Sequence, residues 1–167
     1  MPKLTQVKET KRGRYALFFD GEFAFSLDED TFAMAGLHTG DELEEWQIHD
    51  LQTKSDTRKA VDKAMDLLAL RDHAAGELYQ KLCRSFDPHS AAAAVAKMQE
   101  LNLLDDAGFA RRRAAELLRK RKSRRAILDD LHAKGIDRGA AAEAVEALFA
   151  QSEEDEEENP ELTNARA

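Results

Sequence analysis

The chain has little of what staples or anchors a protein. It holds one cysteine, Cys83, among 167 residues, so no disulfide can form within it and a reducing compartment is expected. Its longest unbroken apolar run is Ala91 to Ala96, far below the roughly 20 residues a membrane span needs. Lys3 and Lys8 are followed by no apolar signal core, so the expected protein is soluble and cytoplasmic. No Gly-rich phosphate loop or dinucleotide fingerprint occurs. The five histidines, His38, His49, His73, His89 and His132, show no metal-like spacing with each other or with Cys83. Cys83 follows Leu82 and reads as a semi-buried core residue. Asp105-Asp106 reads as a helix cap and Asp129-Asp130 as solvated helix surface. No catalytic constellation, metal or cofactor is expected.

What is present is charge, unevenly placed. The chain is 43% apolar and 35% charged, with a net charge of -8, a globular but surface-rich composition. Seven acids between Glu153 and Glu161, set against Arg166, give residues 151–167 a net -6 and leave only -2 on the first 150 residues. That tail cannot bury a core and is expected to be disordered. It either solubilises the chain or competes with an anion for basic groups elsewhere. Residues 111–125, RRRAAELLRKRKSRR, hold nine Lys or Arg and one acid.

Along the chain, RYALFFDGEFAFSL at 14–27 reads as a hairpin. Asp20-Gly21 suits a type I′ turn, which needs positive φ at both centre positions. Pairing about it sets Phe18 opposite Phe23 and Ala16 opposite Phe25, with one apolar face. Leu4 to Glu9 can add a third strand, and a short helix over Asp30 to Ala35 ends at Gly36. Residues 1–52 are therefore expected as a small β-rich subdomain. From Ser55 the apolar spacing is helical. Six helices are expected, with Asp87-Pro88, Ser123 and Asp137 as starts and Gly135 as a stop.

These six helices read as two copies of three, at 53–102 and 103–150. Ala64, Leu67 and Leu68 recur as Ala114, Leu117 and Leu118. Leu78 and Leu82 recur as Ile127 and Leu131, and Val95 and Met98 as Val145 and Leu148. A period near 50 marks a tandem array in which each unit leans on its neighbour. The expected fold is mainly α: two three-helix repeats forming an elongated, curved body behind the β-rich subdomain.

The repeat supplies an internal control. Residues 61–75, VDKAMDLLALRDHAA, align with 111–125 but carry two positives, Lys63 and Arg71, and three acids. Both copies keep the leucines and only one is basic, so packing is expected to need the leucines and not the arginines. At about 100° per residue, Phe109, Ala110, Ala114, Leu117 and Leu118 share one helix face. Arg112, Arg113, Arg119 and Lys120 fall on the other, and Arg121 to Arg125 run into the turn. Solvated faces usually mix signs, so a polyanion-facing surface is expected from Arg111, Arg112, Arg113, Arg119, Lys120, Arg121, Lys122, Arg124 and Arg125. Guanidinium forks suit phosphate oxygens. The stretch lacks aromatics, so backbone contact with little base reading is expected.

The run LLDDAGFARRRAAELLRKRKSRRAILDDLHAKGI over Leu103–Ile136, with GELYQKLCRSFDP before it, resembles the RecX family of recombination regulators. The shared elements are Leu104-Asp105-Asp106-Ala107-Gly108-Phe109-Ala110, the Glu-Leu-x-x-Lys-Leu of Glu77 to Leu82, and Lys134-Gly135-Ile136. The Phe-Asp-Gly-Glu-Phe hairpin and Gly40-Asp41-Glu42-Leu43 resemble the β-rich extension of some members. The likeness spans roughly residues 4–150. It implies a non-enzymatic regulator that binds the RecA–single-stranded DNA filament and suppresses its ATPase, strand-exchange and coprotease activities. Many members carry three repeats, and this chain has two. One unit is also a residue short, without a Gly in Arg84-Ser85-Phe86. A monomer without membrane contact is the expected form. Two other readings remain open: a helical protein that binds DNA without RecA, and a scaffold that binds only proteins.

Overall fold

The computed structural model describes the backbone of residues 1–158 of the chain and the side chains of residues 1–154, which are the described residues wherever side-chain contacts are concerned. Strands β1 (Leu4–Glu9), β2 (Tyr15–Phe19) and β3 (Glu22–Leu27) form an antiparallel sheet in that order. The turn between β2 and β3 has φ of 51° at Asp20 and 83° at Gly21, as a type I′ turn requires. Phe18 pairs with Phe23, but Leu17 rather than Ala16 pairs with Phe25. The register shifts between Leu17 and Phe18, because Ala24 is an extra residue opposite that step. The bulge also corrects the expected apolar face. Leu17, Phe19, Phe25 and Leu27 turn to the core, and Phe18 and Phe23 turn away from it.

Helix α1 (Glu29–Ala35) starts at Asp28, whose carboxylate accepts from the Thr31 N–H, and stops at Gly36 in the left-handed conformation. Helix α2 (Glu45–Leu70) has 26 residues, about 39 Å of rod. It is entered through a capping box of Glu44 and Gln47. It runs across the boundary expected at residue 52. Leu51 packs into the sheet core, while Ala60 and Ala64 belong to the next core. One helix thus serves two cores. Ser55 fastens the join: its Oγ donates to the Ser26 carbonyl at 2.6 Å and accepts from Arg14 at 3.2 Å.

The first three-helix unit is completed by α3 (Ala75–Leu82) and α4 (Pro88–Glu100). The second is α5 (Asp106–Arg119), α6 (Arg124–Ala133) and α7 (Arg138–Glu158). Asp87, Ser123 and Asp137 each accept a hydrogen bond from the first turn of the helix they precede. The copies match in their cores. Ala64, Leu78, Leu82 and Val95 are buried in the first, and Ala114, Ile127, Leu131 and Val145 in the second. Helix α7 continues through residues 151–158, so that part of the expected disordered tail is helical. Residues 159–167 lie outside the described residues.

The three cores follow one another along the chain, each built almost wholly from its own segment.

Candidate nucleic-acid interface

Helix α5 is amphipathic in fact as in pattern. Phe109, Ala110, Ala114 and Leu117 are buried, and Arg111, Arg112, Arg119 and Lys120 are exposed. Asp105 starts the helix by accepting from the Gly108 N–H at 3.0 Å. The helix ends tightly. The Arg121 N–H donates to the Leu118 carbonyl at 2.9 Å and the Lys122 N–H to the Leu117 carbonyl at 3.0 Å. This closure puts Arg121 at φ 61°, a left-handed position that usually belongs to glycine. Ser123 then caps α6 through the Ala126 N–H. A fixed turn, with hydrogen bonds on both sides, therefore displays Arg121, Lys122, Arg124 and Arg125, all exposed.

The nine expected cations do not all serve one purpose. Arg113 is the correction to the internal-control argument. Its guanidinium grips Asp130 of α6 at 2.9 and 3.0 Å and reaches Glu116 at 3.3 Å. It clasps α5 to α6 and is half-buried. The Asp130 hydrogen bonds push the Arg113 pKa up and hold the Asp130 carboxyl below its ordinary range. Asp130 is thus not the solvated surface residue its sequence context suggests. Arg112 reaches Asp72 of the first unit at 3.3 Å, and Lys120 reaches Glu116 at 3.4 Å, both on exposed surface. Arg124 lies 4.8 Å from the centre of the Phe149 ring, a cation–π contact. Among the described residues, Arg111, Arg119, Arg121, Lys122 and Arg125 have no ion-pair partner.

Beside this surface runs a groove of about 400 Å³ at the seam between the units, with Phe109 in its wall and Arg71, Arg112, Arg113 and Lys134 around it. The seam is tight. A methyl group on Gly76 would stand 2.8 Å from the Gly135 Cα, so only glycine permits the approach. The Ala75 N–H donates to Asp106 at 2.8 Å. Glu77, largely buried, accepts from Arg71 at 2.9 and 3.2 Å and from Lys134 at 3.0 Å. Burial alone would raise the Glu77 pKa. The hydrogen bonds from Arg71 and Lys134 outweigh it and hold the carboxyl down at about 2. Behind it, buried His73 donates from Nδ1 to the Arg71 carbonyl and accepts at Nε2 from Lys81, each at 2.9 Å. Burial and the neighbouring cations keep the imidazole pKa below its ordinary value.

Periodicity missed Arg71, His73, Glu77 and Lys134 as a group, because the first three sit where one helix gives way to the next and Lys134 joins them only when the units stack. The signal that could have found them lay in the motifs. Glu77 and Lys81 are the polar members of Glu-Leu-x-x-Lys-Leu, and Lys134-Gly135 supplies the other bank of the seam. Among the described residues, no three His, Cys, Asp or Glu gather as a metal site. No described helix is long and apolar enough to cross a membrane. Cys83 is half-buried against the first unit's core.

No protein-family model matches the chain. Curated relatives do. A regulatory protein RecX of Caldanaerobacter subterraneus subsp. tengcongensis is 27% identical over 149 residues, covering 89% of this chain and 76% of that one. One from Lactobacillus delbrueckii subsp. bulgaricus is 36% identical over 140 residues, covering 82% of this chain and 52% of that one. One from Bacillus subtilis is 27% identical over 155 residues, covering 89% and 58%. The chain thus spans a little over half the length of several relatives it matches. A crystal structure of regulatory protein RecX superposes with a TM-score of 0.64 at 24% identity, over 89% of this chain and 74% of that one, a likeness of fold. With the repeat, the seam motifs and these relatives in agreement, the chain is similar over most of its length to regulatory proteins of the RecX family.

Proposed function

We propose that this protein binds RecA–single-stranded DNA filaments and modulates them in the inhibitory direction, lowering ATPase, strand-exchange and coprotease activity without catalysing a reaction itself. The observation that carries the reading is the fixed basic turn after α5. Arg119, Arg121, Lys122 and Arg125 are exposed at or beside that turn and Arg111 on the outer face of α5, with no ion-pair partner among the residues whose side chains are described. Such a surface suits phosphate or another polyanion, and each phosphate neutralised releases counterions. The two units, locked by the Gly76–Gly135 approach and the Glu77 bridges, hold that surface at a fixed attitude to the rest of the array. We take the protein to act as a cytoplasmic monomer.

The test is RecA's steady-state ATPase on single-stranded DNA with and without this protein. A fall at substoichiometric to equimolar ratios is the expected result. An unchanged rate, with the protein shown to be folded, overturns the reading. The second reading, direct DNA binding without RecA, draws on the α5–turn–α6 pair, two helices joined by a short capped turn, the element order that helix-turn-helix proteins use. It requires duplex binding of the same strength whether or not RecA is present.

A further inference from the structure

We propose that the outer face of the N-terminal sheet is a stacking site for an unpaired base of single-stranded nucleic acid. The inference rests on the functional reading above and adds to it what the basic turn lacks, an aromatic surface. The bulge at Leu17/Phe18 is the origin of the site. It turns Phe18 and Phe23 outward as a cross-strand pair, with ring centres 5.7 Å apart and planes at 66°. Phe23 is 61% exposed. A side chain of that size left in water, against a half-buried ring, presents a π-face without a partner.

The charge around the rings selects the occupant. Strand register puts Gln6 beside Phe18 and Phe23 on the outer face, and Lys8 in the next row with Ala16 and Ser26. The strand acids lie on the opposite side, Glu9 across from Tyr15 and Glu22 across from Phe19. Exposed Lys8 and Gln6 therefore flank the rings on the outer face, with Thr5 bonded to the Phe18 carbonyl and Asp20 at the turn beside them. A lysine can take the phosphate and an amide can take a base edge. The other strongly exposed ring, Trp46 at 66%, differs. Its indole N–H donates to Glu44 at 2.6 Å, amid Glu42, Glu44 and Glu45, so it is a poor neighbour for phosphate. A base on Phe23, with Lys8 beside it, would register the strand at one end of the array while the basic turn holds phosphates elsewhere.

Fluorescence anisotropy with a labelled 20-nucleotide oligo-dT, and with an abasic strand of the same length, tests this in the full chain. Phe23→Ala and Phe23→Leu should each weaken oligo-dT binding by about fivefold or more. Neither should change affinity for the abasic strand, which has phosphates and no bases. Phe23→Leu keeps an apolar side chain on the exposed face, so its loss cannot be assigned to unfolding. Lys8→Gln should reduce the salt dependence by about one unit of slope. Unchanged oligo-dT binding in both Phe23 variants overturns the proposal, as does an equal loss on the abasic strand. So does a loss confined to RecA filaments, which would make the face a protein dock. If the wild type leaves RecA's ATPase unchanged, the regulatory reading falls on its own, whatever the oligonucleotides show.

Discussion

Arg113 and Arg119 are the same residue type on the same helix, and the structure gives them different surroundings. Arg113 holds Asp130 in a two-pronged bridge, while Arg119 stands in solvent. Arg113→Gln leaves Asp130 half-buried beside a weaker partner, so an unfolding titration should show a loss of about 1–2 kcal/mol. Arg111, Arg119 and Arg125 changed together to Gln should leave stability within about 0.5 kcal/mol. The same triple should weaken binding to single-stranded DNA and lower its salt slope by about two to three units.

Glu77 makes a sharper case. Its carboxyl has an ordinary value of 4.5 and is held at about 2 in the fold. Between those values the unfolded chain binds a proton that the native one refuses, so stability falls as pH drops from about 4.5 toward 2. Above 4.5 the contribution is fully present, at about 2 kcal/mol after allowing for solvent near the seam. Glu77→Gln should lose that amount at pH 7, and the gap to wild type should close by about pH 2. A gap that stays constant across this range would show that Glu77 acts by shape and not by charge.

At the scale of elements, the turn between α5 and α6 trades stability for display. Arg121 occupies a left-handed position at φ 61°, which costs a side chain about 1 kcal/mol that glycine avoids. Arg121→Gly should therefore raise stability by about 0.5–1 kcal/mol and at the same time weaken DNA binding. Paired thermal melts and anisotropy would check both halves. A variant that gains stability and keeps full affinity would mean that Arg121 is not part of the interface. The equivalent helix end of the first unit has no such strain, since Arg71 sits in extended backbone and turns back to Glu77.

At the scale of the whole molecule, α7 brings opposite charges near each other. Phe149 lies under Arg124, and a few residues later the chain enters its acidic run. The acidic run extends the same helix past Phe149, so its charge is tethered near the basic turn and is expected to compete with phosphate there. A chain ending at Gln151 should bind single-stranded DNA more tightly than the full chain at 0.01 M salt. The gap should narrow by 0.15 M, as the Debye length shrinks from about 30 Å to about 8 Å. Equal affinities at low salt would leave the acidic run as a solubilising end only.

The order of elements was legible in the residues themselves. Asp20-Gly21 set the hairpin because few dipeptides tolerate two positive φ values in succession. The six repeat helices followed from apolar spacing and from Asp87, Ser123 and Asp137, whose side chains cap locally whatever the fold around them. The period near 50 was visible because both copies must fill the same kind of core. What short-range pattern could not reveal is whatever depends on a distant partner. Ala24 becomes a bulge only against β2, and that choice turned Phe23 outward. The first half of α2 carries few apolar residues because it needs only Ile48 and Leu51 to rest on the sheet, so its start was hidden. Arg113 could not be told from its neighbours until α6 presented Asp130, and Glu77 met Lys134 only when one unit stacked on the other. Local conformational preference is written within a few residues, whereas burial, pairing and exposure are properties of contacts that the tertiary fold alone creates.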